Sequence, residues 1–215
     1  YYNEKMMERE VLMQESIIES PNPFRTAVKH AITGNIIDFG GRHDIDENMI
    51  MREIDRKRSR ALYIDHSKIL RGKILNAEKL MYLGDNCGEI IFDKLLIEEI
   101  VKLNPEIEVT YVVRGAPVIN DIIMEDALQV GMNKLARVID NGYEGPGTEL
   151  ENCTPEFTKE FMDADVIISK GQGNLESLFD SDHKGLFFLL MVKCEAVARR
   201  VNAKMGSQVC LYKNA

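Results

Sequence analysis

Four stretches of this chain put polar, chemically useful side chains directly after apolar runs. In the first, Leu80 to Leu83 stops at Gly84 and is followed by Asp85 and Asn86, with Cys87, Gly88 and Glu89 opening a helical pattern. The second delivers Arg114 and then Asn120 and Asp121; the third delivers Asp140 and Asn141. The fourth delivers Lys170, Gly171, Gln172, Gly173 and Asn174, with Glu176 just beyond. Carboxylates and amides are ligands for a hard divalent cation, while a lysine and glycine-bounded backbone amides suit a phosphate ester. Taken singly, each stretch has a plainer reading. Asp85 with Asn86, and Asn120 with Asp121, are good helix caps. Gly171 and Gly173 suit a turn, and Glu89 suits the positive end of a helix dipole. Separate caps do not explain why acids, amides and a lysine all follow strands.

The elements that must position these groups alternate in type from about Asn76 onward. Strands are expected at 79–83, 108–113, 136–139, 166–169, 185–192 and 208–212, and helices at 88–103, 120–130 and 155–162. Alternation of this kind implies right-handed crossovers and a mainly parallel sheet covered on both faces. In such a sheet ligands bind at the carboxyl ends of the strands, where all four polar stretches fall. The first third reads differently. Helices are expected at 3–19, 24–33, 46–60 and 66–75, with a loop at 34–41, and the strand signal is weak. The expected organisation is therefore a helical subdomain over 1–76 and a three-layer α/β/α, Rossmann-like domain over 77–215.

Composition narrows the function classes. The 215 residues carry a formal net charge of −8, against the basic footprint of a nucleic-acid binder. No apolar run reaches membrane-spanning length, and no secretory signal pattern is present. The four cysteines, Cys87, Cys153, Cys194 and Cys210, have neither zinc-knuckle spacing nor the density of a disulfide framework, which points to the cytoplasm. Cys87 at a helix start has the position of an activated thiol, but no histidine lies near it in sequence. His30, His43, His66 and His183 show no metal-pair spacing. The chain opens on Tyr1 rather than Met, so a preceding N-terminal piece is expected.

In order along the chain, these motifs resemble those of the DUF89 family, the damage-control phosphatase (ARMT1-like) proteins, and its archaeal-type members in particular. Gly84-Asp85-Asn86-Cys87-Gly88-Glu89 resembles the family signature, with Cys87 where Ala is more usual. Arg114-Gly115-Ala116-Pro117-Val118-Ile119-Asn120-Asp121 is similar to a second motif. Gly147-Thr148-Glu149-Leu150 is similar to a third, which usually has Asp at the position of Glu149. Lys170-Gly171-Gln172-Gly173-Asn174-Leu175-Glu176 and Lys193-Cys194 are similar to two more, and Gly34-Asn35-Ile36-Ile37-Asp38-Phe39 to one in the helical part. The likeness runs from about residue 24 to the C-terminus. Each motif is weak alone; their combination is specific.

The resemblance implies a metal-dependent phosphatase acting on small phosphometabolites such as sugar phosphates or damaged phosphorylated metabolites. By position it assigns the metal (manganese, cobalt, nickel or magnesium) to Asp85, Asn86 and Asp121, and the phosphate to Lys170. Gly171, Gly173, Asn174, Glu89 and Arg114 are further candidates for the phosphate, and Asn35 and Asp38 for the rest of the substrate. Either Asp85 or an activated water is the attacking group. Three rivals stand against this. A haloacid-dehalogenase-type enzyme wants a second Asp where Cys87 stands. An S-adenosylmethionine-dependent carboxyl methyltransferase is the runner-up, although the Gly84–Gly88 pattern matches a dinucleotide-type turn poorly. A non-catalytic phosphometabolite-binding protein is the third. Oligomeric state is open at this level.

Overall fold

The computed structural model describes residues 2–34 and 60–215. Apart from Gly34, which ends a helix, the loop expected at 34–41, with Asn35 and Asp38, and most of the helix expected at 46–60 lie outside the described residues.

The chain begins with two short helices, Tyr2–Met7 (α1) and Glu10–Ile18 (α2), where one continuous helix is predicted. Arg9 bonds back only three residues, to the Met6 carbonyl at 3.0 Å, which tightens the turn and re-aims the second helix. Met6, Met13 and Ile17 are then buried, whereas Val11, Leu12 and Ile18, which the helical period assigns to the same stripe, are exposed. Pro23–Gly34 (α3) comes next, entered through Asn22, whose side chain accepts from the Arg25 amide. Then come Ile64–Asp65 (β1), a two-residue strand with too little pattern to predict, and Ser67–Ile74 (α4).

The alternating part is Lys79–Leu83 (β2), Ile90–Leu103 (α5), Glu108–Val113 (β3), Met124–Gln129 (α6), Arg137–Asp140 (β4), Pro155–Asp163 (α7), Val166–Lys170 (β5), Gly171–Leu178 (α8), Leu186–Met191 (β6), Glu195–Arg200 (α9) and Gln208–Tyr212 (β7). The seven strands form one sheet in the order β1-β7-β6-β5-β2-β3-β4, parallel throughout except that β7 runs against β6. The expected mainly parallel α/β/α architecture is what the chain forms.

Side chains alternate across this sheet, as a two-residue period requires. Tyr82, Tyr111, Val166, Ile168, Phe187 and Leu189 enter a core shared with α1 to α6. Met81, Leu83, Val112, Ile167, Phe188 and Leu190 enter a second core beneath α7 to α9. The N-terminal helices thus belong to the sheet's own core, and β1 hydrogen-bonds to β7. Strand order reverses between the central neighbours β2 and β5, which opens a crevice at their carboxyl ends. Among the described residues no helix is long and apolar enough to cross a membrane.

Candidate active site

Gly84 ends β2 because Tyr111 of the neighbouring strand leaves no room: a Cβ at Gly84 would lie 2.6 Å from the Tyr111 hydroxyl. The chain then turns across the crevice, and the Asp85 carboxylate reaches the start of α8. There Gly171 has φ +78°, and a Cβ would fall 1.8 Å from Asp85 Oδ2. No residue but glycine fits that contact.

Residues 120–122, predicted as the first turn of a helix, pair with the β2 loop instead. Asn86 and Asp121 form an antiparallel bridge, the Ile122 amide donates to the Asp85 carbonyl at 2.9 Å, and the Cys87 amide donates to the Asn120 carbonyl at 2.9 Å. Helix α6 therefore starts only at Met124, and the cap reading of Asn120 and Asp121 fails. The cap reading of Asp85 and Asn86 fails as well, since Glu89 stands at the N-cap of α5. The bridge brings together the two segments that carry Asp85, Asn86 and Asp121. Ile119, just before it, is exposed with φ 51°, an uncommon conformation for a β-branched residue and one that costs about 1–3 kcal/mol.

Arg114, at the end of β3, lies between the acids. Its Nε donates to Asp121 Oδ2 at 2.6 Å, its Nη2 is 4.0 Å from Asp85 Oδ1, and its Nη1 donates to Thr148 Oγ1 at 3.3 Å. Nη2 is buried and has no hydrogen-bond partner. Thr148 in turn donates to Asn174 Oδ1 at 2.8 Å, and Asn174 Nδ2 donates to the Gly84 and Lys170 carbonyls. Asn174, a phosphate candidate by sequence, thus ties together the ends of β2 and β5.

Lys170 also lies elsewhere than its strand-end position suggests. It is fully buried, and its ammonium donates to Glu89 Oε2 at 2.8 Å and Asp93 Oδ1 at 2.7 Å. Asp93 accepts in addition from the hydroxyls of Tyr82, at 2.7 Å, and Tyr111, at 2.9 Å. Glu89 Oε1 accepts from the Asn86 backbone amide and from Asn86 Nδ2, both at 2.9 Å. Asn86 Nδ2 also donates to Asp85 Oδ2 at 2.9 Å. Both amide protons of Asn86 are thereby given to carboxylates, and its carbonyl oxygen is left to accept from, or ligate, another partner.

The charges are far from their solution behaviour. Burial, with the charges of Glu89 and Asp121 beside it, pushes Asp85 up to about 8, against the pull of Arg114 and Lys170. Burial also raises Asp121, and Arg114 offsets part of this. Burial disfavours the Lys170 ammonium, yet Asp93 and Glu89 outweigh it and hold Lys170 above the ordinary lysine range. Burial lifts the Cys87 thiol to about 12, so it is no activated nucleophile.

The donor set suits a hard cation. Among the described residues no three His, Cys, Asp or Glu side chains are grouped to hold a metal ion. Gly173 stands with Gly171 in the first turn of α8 rather than in a free loop. The residues that sequence reasoning passed over are Thr148, Asp93, Tyr82, Tyr111 and Asn3, whose carbonyl accepts from the Gly88 amide at 2.7 Å. Asp93 carries a readable signal, an acid on the apolar face of α5 among Ile90, Ile91, Phe92 and Leu96.

The model of the damage-control phosphatase ARMT1-like domain matches residues 1–209. A protein named as a damage-control phosphatase of Pyrococcus horikoshii is 41% identical over 191 residues, which cover 87% of this chain and 64% of the relative. Another of that name, from Archaeoglobus fulgidus, is 38% identical over 200 residues, covering 92% of this chain and 68% of the relative. The crystal structure of a DUF89 family protein from P. horikoshii has a TM-score of 0.86 at 38% identity, over 99% of this chain and 74% of that one. The chain thus spans 64% of the first of these relatives, just short of two thirds.

Proposed function

Because the chain belongs to the damage-control phosphatase (ARMT1-like, DUF89) family, we propose that it hydrolyses phosphomonoesters of small metabolites with a divalent metal held by Asp85, Asn86 and Asp121. One observation carries this reading. The segments carrying Asp85 with Asn86 and Asp121 are bridged at the switch point, and Arg114 contacts both carboxylates, which supports a shared site for the three.

The bound cation, manganese, cobalt, nickel or magnesium, would supply Lewis-acid polarisation of the phosphoryl oxygens and offset the clustered negative charge. The protein supplies the rest. Asp85 and Asp121 would serve as oxygen donors, and Glu89 holds the Asn86 amide nitrogen so that its oxygen is left for the cation. The unpartnered Nη2 of Arg114 donates to a phosphoryl oxygen and stabilises the charge that builds during transfer. The backbone amides at the start of α8, after Gly171, would donate to the same group. Lys170 acts from behind, by holding Glu89 in place. The phosphorus–oxygen ester bond breaks, a new oxygen joins phosphorus, and the leaving alcohol takes a proton. Two attackers fit: the Asp85 carboxylate, in which case solvent protonates the leaving alcohol and water then hydrolyses the aspartyl phosphate to free phosphate and Asp85, or a water, whose proton passes to the leaving alcohol. Acid-quenched protein carrying a phosphoryl group on Asp85 identifies the first. Asn35 and Asp38 retain their proposed role toward the non-phosphate end of the substrate. The free thiols of all four cysteines agree with a reducing compartment such as the cytoplasm.

The decisive assay is phosphate release from a panel of sugar phosphates. The expected result is activity that chelation abolishes, that manganese, cobalt, nickel or magnesium restores, and that Asp85→Ala and Asp121→Ala remove. Full metal-dependent activity in Asp85→Ala overturns the proposal.

A further inference from the structure

We propose that Asn3 is a positioning residue that clasps the two ligand-bearing segments from behind and so sets the spacing of Asp85 and Asn86 against Asp121. The inference rests on the metal-site reading above. Asn3 lies on α1, more than 80 residues from either segment, yet only 3% of it is exposed and its side chain makes three hydrogen bonds, both amide protons and one oxygen lone pair being used. Oδ1 accepts from the Gly88 amide at 2.7 Å, in the turn where Gly88 has φ +81°. Nδ2 donates to Asp126 Oδ1 at 3.1 Å and to Gln129 Oε1 at 3.0 Å, both on α6. Asp126 is the residue whose other oxygen accepts the Ile123 amide and so starts α6, directly after the Asp121 segment.

The two segments are therefore joined at two levels. The backbone bridge from Asn86 to Asp121 joins them at the crevice, and Asn3 joins the turn beyond Asn86 to the helix beyond Asp121. The pairing at the crevice fixes one end of the contact between the segments, and Asn3 adds a tie displaced from it. Outer groups that orient ligands in this way typically change metal affinity by about 10–100-fold when removed.

The test uses the full chain and Mn²⁺ as the probe, with affinity read by titration calorimetry and the Gly88 amide read by hydrogen exchange. Asn3→Ala is expected to weaken Mn²⁺ by about tenfold or more and to speed exchange at Gly88, with kcat at saturating metal largely kept. Asn3→Asp keeps the acceptor for Gly88 but faces the Asp126 carboxylate, so it too should weaken Mn²⁺. Adding Asp126→Asn restores a donor to that pair and should recover the affinity. Melting curves of the single and double variants separate that rescue from a general recovery of stability, since the clasp predicts recovered Kd beyond what folded fraction accounts for, and the test stands even if Asn3→Ala does not fold. Unchanged Kd and unchanged Gly88 exchange in Asn3→Ala, or failure of the double variant to recover over Asn3→Asp alone, overturns the clasp. If the unaltered chain binds no Mn²⁺, the metal-site reading falls, and Gly88 exchange by itself decides whether Asn3 holds the turn.

Discussion

The two edges of the sheet handle charge in opposite ways. At the amino edge, a cavity of about 570 Å³ is lined by Lys79, Glu108, Thr110, Arg137 and Glu160 above Leu80 and Val109. Its charged side chains reach water: Arg137 and Glu160 pair with each other at 55% and 39% exposure. At the carboxyl edge, Asp85, Glu89, Asp93, Arg114 and Lys170 are all buried. A folded chain retains desolvated charge only where close partners compensate it, and such charge concentrates at functional sites. The comparison teaches that charge at the amino edge is carried by solvated side chains, while the carboxyl edge, where the proposed site lies, holds its charges desolvated and mutually paired.

The largest effect should come from removing the ammonium at the centre of the buried network. Lys170→Met leaves Glu89 and Asp93 buried without their cation, which should cost about 3–5 kcal/mol in urea unfolding and abolish phosphatase activity. Arg137→Met at the amino edge should cost no more than about 1 kcal/mol and leave activity intact. Equal losses would erase the contrast between the edges.

Gly171 and Gly206 test it through the backbone. Both have positive φ, +78° and +76°, but a Cβ at Gly206 meets open space while one at Gly171 meets Asp85. Each alanine should cost about 1–2 kcal/mol from the left-handed conformation alone. Only Gly171→Ala should also abolish turnover, as a phosphate-release assay will show.

Tyr111→Phe removes one of two hydroxyls bonded to Asp93. A hydrogen bond to a charged group contributes about 1.5–3 kcal/mol, so denaturation should show a loss in that range, with a smaller fall in activity than Lys170→Met gives. The smallest effect concerns His183, a buried titratable group near the amino edge. Its Nε2 lies 2.8 Å from the Ala164 carbonyl, and its Nδ1 accepts from the Gly185 amide at 3.0 Å, which fits the neutral ring only. Burial lowers its pKa below the usual value. The unfolded chain therefore binds the proton more readily. The contribution is complete above about pH 6.5 and is lost as pH falls through the folded pKa. Melting curves of the unaltered chain and of His183→Gln between neutral and mildly acidic pH should converge on acidification.

Legibility in the sequence depends on how local each signal is. Asp85 and Asn86 stand where an apolar run breaks, and that break is visible in a few residues. Asp121 is visible for the same reason, but its backbone role is not, because the bridge to Asn86 spans more than thirty residues and replaces the helical turn that Asn120 and Asp121 predict. Tyr82 and Tyr111 read as ordinary strand residues; their hydroxyls matter only once β2 lies beside β3 in a register that stacks the two rings 5.4 Å apart over Asp93. Lys170 comes directly after an apolar run, which suggests an exposed tip, and only the tertiary fold supplies the two acids that draw it inward. Helix α8 escapes prediction because two glycines in its first turn argue against a helix, although Gly171 is needed there for close approach to Asp85.

The buried amine of Lys170 also makes it a chemical timer. An acylating reagent in native buffer will mark the exposed lysines and skip Lys170, whose side chain is 0% exposed. Modification there requires the β5 end to part from α5. The rate at which mass spectrometry finds label on Lys170 then measures how often the whole central layer opens, in a protein that needs no engineered probe.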